Sequence, residues 1–503
     1  MIIGAGTSGL CAGYELKKAG FDVQIFEASS RVGGRVKTFK DPFLAPGLHG
    51  EGGAMRIPDD HFLTLKYVEK FGLDLFPFEQ ENKFIFLEGY GSTLTYDKFN
   101  QLLQAKDAKL LALFPGLKPG EMGKTCDELF EAAVEPVREY FMEVYKKNPN
   151  NITAAYEAIT EKYDKYSLRT YLTDVGKWSQ AAINLYDVGN AHVVFENGFI
   201  ESWKDAFLSS NSQGGLAGMR QLQEGMDGIP KGFIRDPDVD KHTLIDNITF
   251  GARVTHIDIS NTQQISLTYD AGASIETVTG DWLIIAIPYP SLRLITKSQS
   301  FSPRKEVAIR SVRYVEVTKV LLQYRQRWWE PIFHANGQGH DGGLVTDLPI
   351  RYTMFPKTKH SRQAERSERG VVMAAYTFEQ DATSLGAMSP EHRTLLAARN
   401  IDRIFPGANS LHFLEASIAQ VWPADAMAGG SAFAYFGPME KTLFWDDMVS
   451  AEWGSTVFFA GEQVSYTHGW IQGAFEAGIS AALQLYSIAT VNLVDDDDDS
   501  MSD

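Results

Sequence analysis

The stretch that decides the fold lies at the N-terminus and reads Met1-Ile2-Ile3-Gly4-Ala5-Gly6-Thr7-Ser8-Gly9-Leu10. It is a short apolar run that enters a Gly-x-Gly-x-x-Gly turn, and a helical pattern and a second apolar run, residues 23–26, follow it. Glu27 ends that run, 18 residues after the third glycine. In such a strand-helix-strand unit the first two glycines allow a tight turn and the approach of a pyrophosphate, and the third lets the helix pack on the strand. The free N–H groups at the helix start favour the phosphate charge, so we predict a dinucleotide site in which Glu27 accepts hydrogen bonds from the adenosine ribose.

A second glycine turn follows at once and reads Ala28-Ser29-Ser30-Arg31-Val32-Gly33-Gly34-Arg35-Val36. Its two glycines give access to the backbone, and Arg35 offers a fork of donors for phosphate. Nicotinamide enzymes do not generally need this second phosphate contact. The stretch resembles the flavin amine oxidase superfamily, in which it wraps the pyrophosphate of FAD. The resemblance implies FAD as the cofactor.

Length and composition set the class of protein. With 503 residues, 44% hydrophobic and 12% aromatic, the chain is expected to form more than one folding unit around large cores. The net charge of -17 argues against nucleic acid or an anionic membrane as a partner. Part of that charge is a run of aspartates, residues 495–499, which we expect to be a disordered and solvated tail.

Cysteine content and hydropathy bear on the compartment. The two cysteines are Cys11, which falls in the first predicted helix and is expected to be buried, and Cys126, so a disulfide framework is not expected. The sequence shows no signal peptide and no run of about 18 apolar residues. Met1 lies almost on the first strand, so the question of whether a processed leader precedes it stays open. We expect a soluble protein, either cytoplasmic or secreted after processing.

The stretch Glu51-Gly52-Gly53-Ala54-Met55-Arg56-Ile57-Pro58 narrows the resemblance. Its small residues permit close approach of the backbone, and Arg56 then stands beside whatever the glycines approach. At this distance from the first glycines, Gly-x-Met-Arg-x-Pro resembles the L-amino-acid oxidases, in which the arginine binds the substrate carboxylate bidentately. Amine oxidases whose substrates have no carboxylate do not need this arginine. The alternative is an ordinary surface arginine.

A lysine stands on an apolar strand face between Tyr314 and Tyr324. Strand alternation places Lys319 on the same face as Val315, Val317 and Leu321. A buried ammonium is costly unless it meets water, a partner or a cofactor. The family has a lysine here that holds a water next to flavin N5, so Lys319 is a candidate catalytic residue that positions water or oxygen. The alternative is an edge-strand lysine with its amine in solvent.

The C-terminal part carries a second ligand site. Residues 457–462 form a strand that ends in Gly461-Glu462, and Thr467-His468-Gly469-Trp470-Ile471 opens a helix. This places a carboxylate and a helix N-terminus at the carboxyl end of a strand, where ligands bind in open α/β sheets. Glu462 is expected to hold a ribitol hydroxyl, and the helix N-terminus to face the flavin N1 and O2 region. In the family, Gly469 and Trp470 match residues on the substrate side.

Three further matches and one departure follow from the resemblance. The backbone of Val254 matches a valine that pairs with the adenine edge, and Trp422 matches a tryptophan that flanks the isoalloxazine, with Tyr435 in the same stretch. The segment 347–356 departs from the family, because Met354-Phe355 stands where a carboxylate-binding tyrosine usually precedes the proline. Tyr352 lies two residues earlier, and no tyrosine is assigned to that role.

No general base is assigned. Some family members have a histidine proposed as a base in the helical region, but the comparable stretch Glu201-Ser202-Trp203-Lys204-Asp205 has none. Asp187 and His192 are interpreted as ordinary helix or loop residues.

The resemblance extends from Gly4 to Gly478 and implies an α/β (α+β multi-domain) fold. A Rossmann-like FAD-binding domain would be assembled from residues 1–60, 229–312 and 446–490. A mixed-sheet substrate-binding domain would comprise 61–115 and 313–445, with a hairpin near 84–96. A helical insertion would comprise 116–228, and 491–503 would be the acidic tail. Family habit implies a homodimer or a higher homo-oligomer.

The predicted activity is FAD-dependent oxidative deamination of L-amino acids by oxygen, and no metal is expected. An amine or polyamine oxidase, an amino-acid 2-monooxygenase that yields the amide, and a non-catalytic flavoprotein remain alternatives. Lys319 and Arg56 are the predicted catalytic residues. The predicted substrate-binding residues are Arg56, Trp422, Tyr435, Gly469 and Trp470. The predicted cofactor-binding residues are Gly4, Gly6, Thr7, Ser8, Gly9, Glu27, Ala28, Gly34, Arg35, Gly53, Ala54, Met55, Arg56, Val254, Trp422, Gly461, Glu462, Gly469, Trp470 and Ile471.

Overall fold

A computed structural model describes residues 1–191, 193–208, 218–259, 264–356 and 368–499, with the backbone alone at 204–208 and 491–499. His192 lies outside these ranges. Of the predicted acidic tail, residues 491–499 are described by their backbone alone, and residues 500–503 lie outside these ranges. The backbone of the last helix runs to Asp499, so that part of the range is helical rather than irregular.

A parallel five-stranded sheet organises the N-terminal, middle and C-terminal parts of the chain. Its strands, in spatial order, are Ile248–Phe250, Ile25–Glu27, Ile2–Ile3, Leu283–Ile285 and Val457–Phe459. The strand Leu283–Ile285 is wholly buried, as its unbroken apolar sequence predicts for a strand covered on both faces. The sheet thus draws on the three segments assigned to the dinucleotide domain, whose boundaries remain a prediction.

Two helices cover this sheet on one side. The first helix, Thr7–Lys18, packs with the last helix, Ile471–Asp499, in one apolar core that also contains Cys11. Glycines make the close approach possible: a Cβ on Gly9 would lie 2.1 Å from the Gly4 carbonyl oxygen, and one on Gly478 would lie 2.5 Å from the Ser8 carbonyl oxygen. The third glycine of the N-terminal motif therefore does what its position predicts.

A seven-stranded mixed sheet lies in the other half. Its order is Leu414–Val421, Val317–Tyr324, Gly370–Phe378, Tyr352–Phe355, Gly342–Thr346, Asn82–Phe86 and Thr93–Thr95. All pairs are antiparallel except Gly342–Thr346 with Asn82–Phe86, and the predicted hairpin near 84–96 is present. Because Val317–Tyr324 is paired on both sides and fully buried, Lys319 is not an edge-strand lysine.

The described residues of the segment 116–228 are mostly helical, as predicted, and one strand among them departs from that prediction. Met219–Leu222 is the central strand of a three-stranded sheet with Ile57–Pro58 and Leu75–Pro77, because those two short strands expose backbone groups that need partners. The helices are Cys126–Lys147, Ile152–Tyr163, Leu168–Thr170, Tyr171–Val175 (a π-helix), Gln180–Asn190 and Phe199–Leu208. A capping box between Thr125 and Glu128 begins the longest of them.

The remaining elements connect these units. A four-stranded sheet contains Ile275–Gly280, Ile265–Asp270, Arg253–Asp258 and Thr296–Lys297. The other strands are Thr38–Phe39, Gly50–Glu51, Tyr314–Val315 and Phe433–Ala434. The other α-helices are Phe62–Lys70, Tyr96–Gln104, Ala108–Leu111, Gly228–Gly232, Tyr289–Leu292, Pro303–Ser311, Trp329–Ala335, Glu379–Gly386, Pro390–Ile404, Ser410–Phe413 and Glu440–Val449. Short 3-10 turns are Ile245–Asn247, Trp422–Ala424 and Glu462–Val464.

Both cysteines are free and buried. Within the described ranges, no helix has the length and apolar character needed to span a membrane.

Candidate active site

One deep cavity of about 600 Å³ runs from the carboxyl edge of the parallel sheet to the mixed sheet. Every residue predicted to bind the cofactor or the substrate lines it, with the exception of Gly9. Gly9 lies behind the wall, against the Gly4 carbonyl oxygen, and acts on helix packing instead. The structure therefore brings together residues that lie more than 400 positions apart in the chain, from Gly4 to Ile471.

Two glycine turns form one end of the cavity. Gly6 precedes the first helix in an extended conformation, and a Cβ added to it would meet no atom within 4 Å. Gly34 faces it, since a Cβ there would lie 3.3 Å from the Gly6 Cα. The N-terminus of a 12-residue helix points its N–H groups to the same place. This combination of bare backbone and free donors fits a pyrophosphate.

Glu27 is held rigidly at the edge of the cavity. Its Oε2 accepts a hydrogen bond from the Ala5 N–H at 2.8 Å, and its Oε1 accepts one from the Ser29 N–H at 2.8 Å. A carboxylate has about four lone-pair sites, so both oxygens keep capacity for ribose hydroxyls. Val254, on the next strand of the wall, lines the same part of the cavity.

Arg35 and Glu462 are joined directly, which the sequence did not indicate. Arg35 Nη1 lies 2.6 Å from Glu462 Oε1, which also accepts from the Ala434 N–H at 2.9 Å. The Gly469 N–H donates to Glu462 Oε2 at 3.1 Å. The carboxylate therefore fixes three backbone segments around the middle of the cavity, in addition to any ribitol contact.

Arg56 stands at the other end with its guanidinium among aromatic rings. Its Cζ lies 5.8 Å from the ring centre of Trp470 and 6.0 Å from that of Phe78. Within the described ranges, no carboxylate pairs with it and no hydrogen bond ties it down. An arginine that faces a cavity with its fork of donors unused is suited to a planar anion such as a carboxylate.

Lys319 reaches the same cavity from the mixed sheet. Its ammonium donates to the Gly53 carbonyl oxygen at 2.6 Å and lies 4.7 Å from the ring centre of Tyr376. Burial lowers the pKa of Lys319 to about 7, opposed by the charge of Glu51 and assisted by that of Arg56. The group therefore changes charge near neutral pH.

Glu51 is a titratable residue that sequence reasoning passed over. Its Oε1 accepts from the Met226 N–H and its Oε2 from the Thr38 hydroxyl, both at 2.8 Å. Burial raises the pKa of Glu51 to about 7, despite these bonds and the charge of Lys319. An acid immediately before Gly-Gly was the only available signal, and by itself it resembles an ordinary strand residue.

The segment 347–356 contributes no tyrosine to the cavity, but the neighbouring strand contributes Tyr376. Tyr352 and Phe355 are buried in the adjoining cores and do not line the cavity. Tyr376 does line it, and its pKa is raised by burial and lowered by the charge of Arg56. The sequence could not reveal this, because Tyr376 occurs in a continuous apolar strand and only the pairing of that strand with the strand of Lys319 brings it to the cavity.

Aromatic side chains complete the wall at this end. Trp422 is buried and donates from Nε1 to the Gly52 carbonyl oxygen at 3.1 Å, and Tyr435 lies beside it in the cavity wall. Asp187, interpreted as an ordinary residue, pairs with Arg351 at 2.8 Å and does not line the cavity. His468 and Glu201 form a buried pair that was not predicted, and the histidine of this pair lines the cavity.

The chain is similar to known proteins over almost its whole length. The family model described as flavin containing amine oxidoreductase matches residues 7–485. An L-amino-acid oxidase of Daboia russelii is 31% identical over 491 residues, which cover 96% of this chain and 88% of the relative. L-amino acid oxidase Bs29 of Bothriechis schlegelii is 30% identical over 490 residues, which cover 96% and 89%.

Solved structures share the fold. Wild-type putrescine oxidase bound to putrescine matches with a TM-score of 0.71 at 17% identity, covering 97% of this chain and 98% of that one. Cyclohexylamine oxidase from Brevibacterium oxydans IH-35A matches with a TM-score of 0.71 at 16% identity and the same coverage. At such identities the likeness establishes the fold and does not extend to the substrate.

Proposed function

We propose, from the premise that the chain belongs to the family of flavin-containing amine oxidoreductases, that it is an L-amino-acid oxidase. The reaction is the oxidative deamination of an L-amino acid to a 2-oxo acid, with release of ammonia and hydrogen peroxide. The cofactor of the family is FAD. The two glycine turns, Glu27 and Glu462 are the residues that would hold it, because they supply bare backbone, free N–H groups and carboxylates along one cavity.

The observation that carries the proposal is the unpaired guanidinium of Arg56 in the cavity. A substrate without a carboxylate would leave this half-buried cation with no partner in the cavity, which is unfavourable. A substrate carboxylate can accept two parallel hydrogen bonds from the fork and so fix the position of the adjacent Cα. Tyr376 lines the same cavity and is our candidate for a second hydrogen bond to this carboxylate.

The protein's part in the reaction is orientation and electrostatics. When bound, FAD supplies the acceptor for the hydride and passes the electrons to oxygen. Arg56 holds the carboxylate so that the Cα hydrogen has one direction of departure. Lys319, near the midpoint of its titration at neutral pH, holds a proton beside the Gly53 carbonyl oxygen and is the candidate to position water or oxygen. The imino acid product is then hydrolysed by water.

The wall at the Arg56 end favours large apolar or aromatic side chains. Phe378, Phe433, Tyr435 and Trp470 all line it. The acids that line the cavity, as far as the structure describes it, are Glu27 and Glu462, which we assign to the cofactor, and Asp425, which lies 3.9 Å from the Lys37 ammonium. A polyamine would need a free acid for its second ammonium group, so this arrangement disfavours a polyamine oxidase.

The test is anaerobic bleaching of the flavin absorbance of the purified holoenzyme by each of the twenty L-amino acids, with D-enantiomers and polyamines as controls. We expect bleaching by L-forms with large apolar side chains. Arg56→Ala is expected to reduce the efficiency of flavin reduction about 100-fold or more, because a charged hydrogen-bonded pair is lost. Arg220→Ala is the matched control, since Arg220 pairs with Asp59 at the surface.

Other outcomes assign the chain to the alternatives. Bleaching by polyamines only, with Arg56→Ala as active as the wild type, would remove the role given to the arginine. An amide product in place of the 2-oxo acid would identify a monooxygenase. A flavin that no amine or amino acid reduces would indicate a non-catalytic flavoprotein.

A further inference from the structure

The helix that follows Arg56 in the chain begins without a cap of its own. From Arg56 the chain runs through the two-residue strand Ile57–Pro58 to His61, and the helix Phe62–Lys70 begins directly after it. Within the part of the chain that the structure describes, no hydrogen bond from the His61 side chain caps this helix. The first N–H groups of an α-helix have no partner inside the helix, so they need an acceptor from elsewhere.

Gln472 supplies that acceptor from the other end of the chain. Its Oε1 accepts from the backbone N–H groups of Leu63 and Thr64, both at 3.1 Å, and lies 3.4 Å from the Thr64 hydroxyl oxygen. Gln472 is the second residue of the last helix, is 3% exposed and does not line the cavity. Its amide therefore closes the N-terminus of one helix from the start of another.

Glu476 fixes the orientation of that amide. Gln472 Nε2 donates to Glu476 Oε1 at 3.1 Å, and the Thr467 hydroxyl oxygen lies 3.0 and 3.1 Å from the two Glu476 oxygens. Glu476 follows Gln472 by four residues and so lies on the same face of the last helix. Both ends of the amide are used, so the side chain has one orientation relative to the two helices.

The ring of Trp470 lies between the start of this helix and the guanidinium of Arg56. Its centre is 5.0 Å from the centre of the His61 ring, with the two planes at 89°, and 5.8 Å from Arg56 Cζ. Such an edge-to-face arrangement is favourable for aromatic rings. Burial lowers the pKa of His61 to about 4, so at neutral pH this ring carries no charge that would repel the guanidinium. Trp470 precedes Gln472 by two residues, so the cap also holds the ring in its place.

The other anchor of this segment is short. The strand Ile57–Pro58 lies at the edge of its sheet and pairs with Met219–Arg220 over two residues. So short a pairing leaves the turn that follows it to be fixed by other contacts. The cap from Gln472 and the contact of His61 with Trp470 supply them.

We propose that Gln472 is a positioning residue for the substrate carboxylate, because its amide caps the helix Phe62–Lys70 and thereby holds Trp470 and Arg56 in their places in the cavity wall. The inference rests on the proposed oxidase function, in which Arg56 binds the carboxylate. Without the cap, the arrangement that binds the carboxylate becomes one of several conformations. The affinity then falls by the fraction of molecules that adopt it.

The test is the binding of 3-phenylpropanoate, which has the carboxylate and no amino group, to the holoenzyme, followed by the change in flavin absorbance. In Gln472→Met, which keeps the length of the side chain but removes its acceptor and its donor, we expect about tenfold weaker binding. Loss of a helix cap of ordinary strength can produce a factor of this size. Thr125→Val is the matched control and should bind as the wild type does, because it removes the buried cap of the helix Cys126–Lys147, away from the cavity.

Two further measurements separate positioning from a general loss of stability. In the Arg56→Ala background, Gln472→Met is expected to cause no further loss of affinity, because both changes act through the same contact with the ligand. The exchange of Gln472→Glu with Glu476→Gln is expected to restore wild-type binding. The carboxylate at position 472 can accept from the N–H groups of Leu63 and Thr64, and the amide at position 476 can donate to it.

Wild-type binding in Gln472→Met overturns the proposal, and so does an equal loss in the Arg56→Ala background. An exchange that binds no better than Gln472→Met would assign the loss to changed packing and refute the capping role. If Gln472→Met does not fold, Gln472→Asn decides, because its amide is one carbon shorter and cannot reach both Leu63 and Glu476, and unchanged binding there overturns the proposal. If Arg56→Ala binds 3-phenylpropanoate as the wild type does, the proposed function and this inference both fail. A loss in Arg56→Ala with none in Gln472→Met defeats this inference alone.

Discussion

At the scale of residues, the site contains a buried lysine and a half-buried arginine that the protein leaves partly unsatisfied. Arg56 has aromatic neighbours and no ion-pair partner within the described ranges, and Lys319 has a carbonyl oxygen for its ammonium. Arg35, in contrast, is paired with Glu462. The first two residues are therefore available to a ligand and its chemistry, whereas the third mainly holds the cavity together.

Lys319 provides a pH-dependent test. With a pKa near 7, its ammonium is charged below about pH 7 and neutral above it. Positive charge next to oxygen stabilises the negative charge that develops as oxygen is reduced. We therefore expect the reaction of the reduced enzyme with oxygen to slow as pH rises through about 7, and Lys319→Met to be about tenfold slower with no inflection there. Stopped-flow measurement of flavin reoxidation checks this.

The surface change Lys147→Met, which removes an exposed lysine paired with Glu143, is the control for Lys319→Met. Because Glu51 titrates in the same range, the inflection belongs to the Glu51–Lys319 pair, and Glu51→Gln is expected to shift it. A Lys319→Met enzyme that keeps both the rate and the inflection contradicts the assignment.

At the scale of elements, the N-terminal strand, turn and helix separate two uses of glycine. The absence of a side chain at Gly6 leaves the start of the cavity open. The absence of a side chain at Gly9 is needed because the Gly4 carbonyl oxygen occupies the space that a Cβ would take. The sequence motif contains both without distinguishing them. The distinction comes from how the helix lies on the sheet.

Changing each of the two glycines to alanine is expected to affect a different property: FAD binding for Gly6 and stability for Gly9. Gly6→Ala has ordinary backbone angles and open space, so it should fold but bind FAD at least about tenfold more weakly, because the methyl group occupies the phosphate cradle. Gly9→Ala places a carbon 2.1 Å from a carbonyl oxygen and should lower the stability by about 1–3 kcal/mol or more. Flavin titration of apoprotein and urea midpoints of both variants check this. Equal effects of the two changes on stability would contradict it.

At the scale of the whole molecule, one cavity connects the two large sheets. Its wall contains the ends of parallel strands, the strand of Lys319 and the loop with Asn197. A cofactor that binds there contacts several segments at once and stabilises the native state by linkage. The oligomeric state and the domain boundaries remain predictions.

Removal of FAD should therefore lower the thermal midpoint of the whole protein. At a free FAD concentration about 100 times the dissociation constant, the stabilisation is about 2.7 kcal/mol. Riboflavin, which has no pyrophosphate or adenosine, should restore less of it, because it cannot contact the glycine turns or Glu27. Differential scanning calorimetry of apoprotein, reconstituted holoenzyme and the riboflavin mixture checks this. An apoprotein with the midpoint of the holoenzyme would contradict a bridging cofactor.

The sequence by itself determined the elements whose chemistry is local. The glycine turns, the acid after the second strand and the apolar run Leu283–Ile285 are specified by backbone sterics and strand burial, so a short stretch suffices to recognise them. Arg56 was also predicted, from the small residues that precede it and from the family resemblance, and Lys319 because it places a charge on an apolar strand face.

Only the tertiary structure decided which distant residues meet. Tyr376 is paired with Lys319 across neighbouring strands, Arg35 meets Glu462 across 427 residues, and His468 meets Glu201 across 267 residues. None of these contacts has a local signature, because each depends on the packing of separate sheets and helices around a common cavity. Long-range contacts are fixed by the fold as a whole, and a single sequence reveals only the side chains that are available to form them.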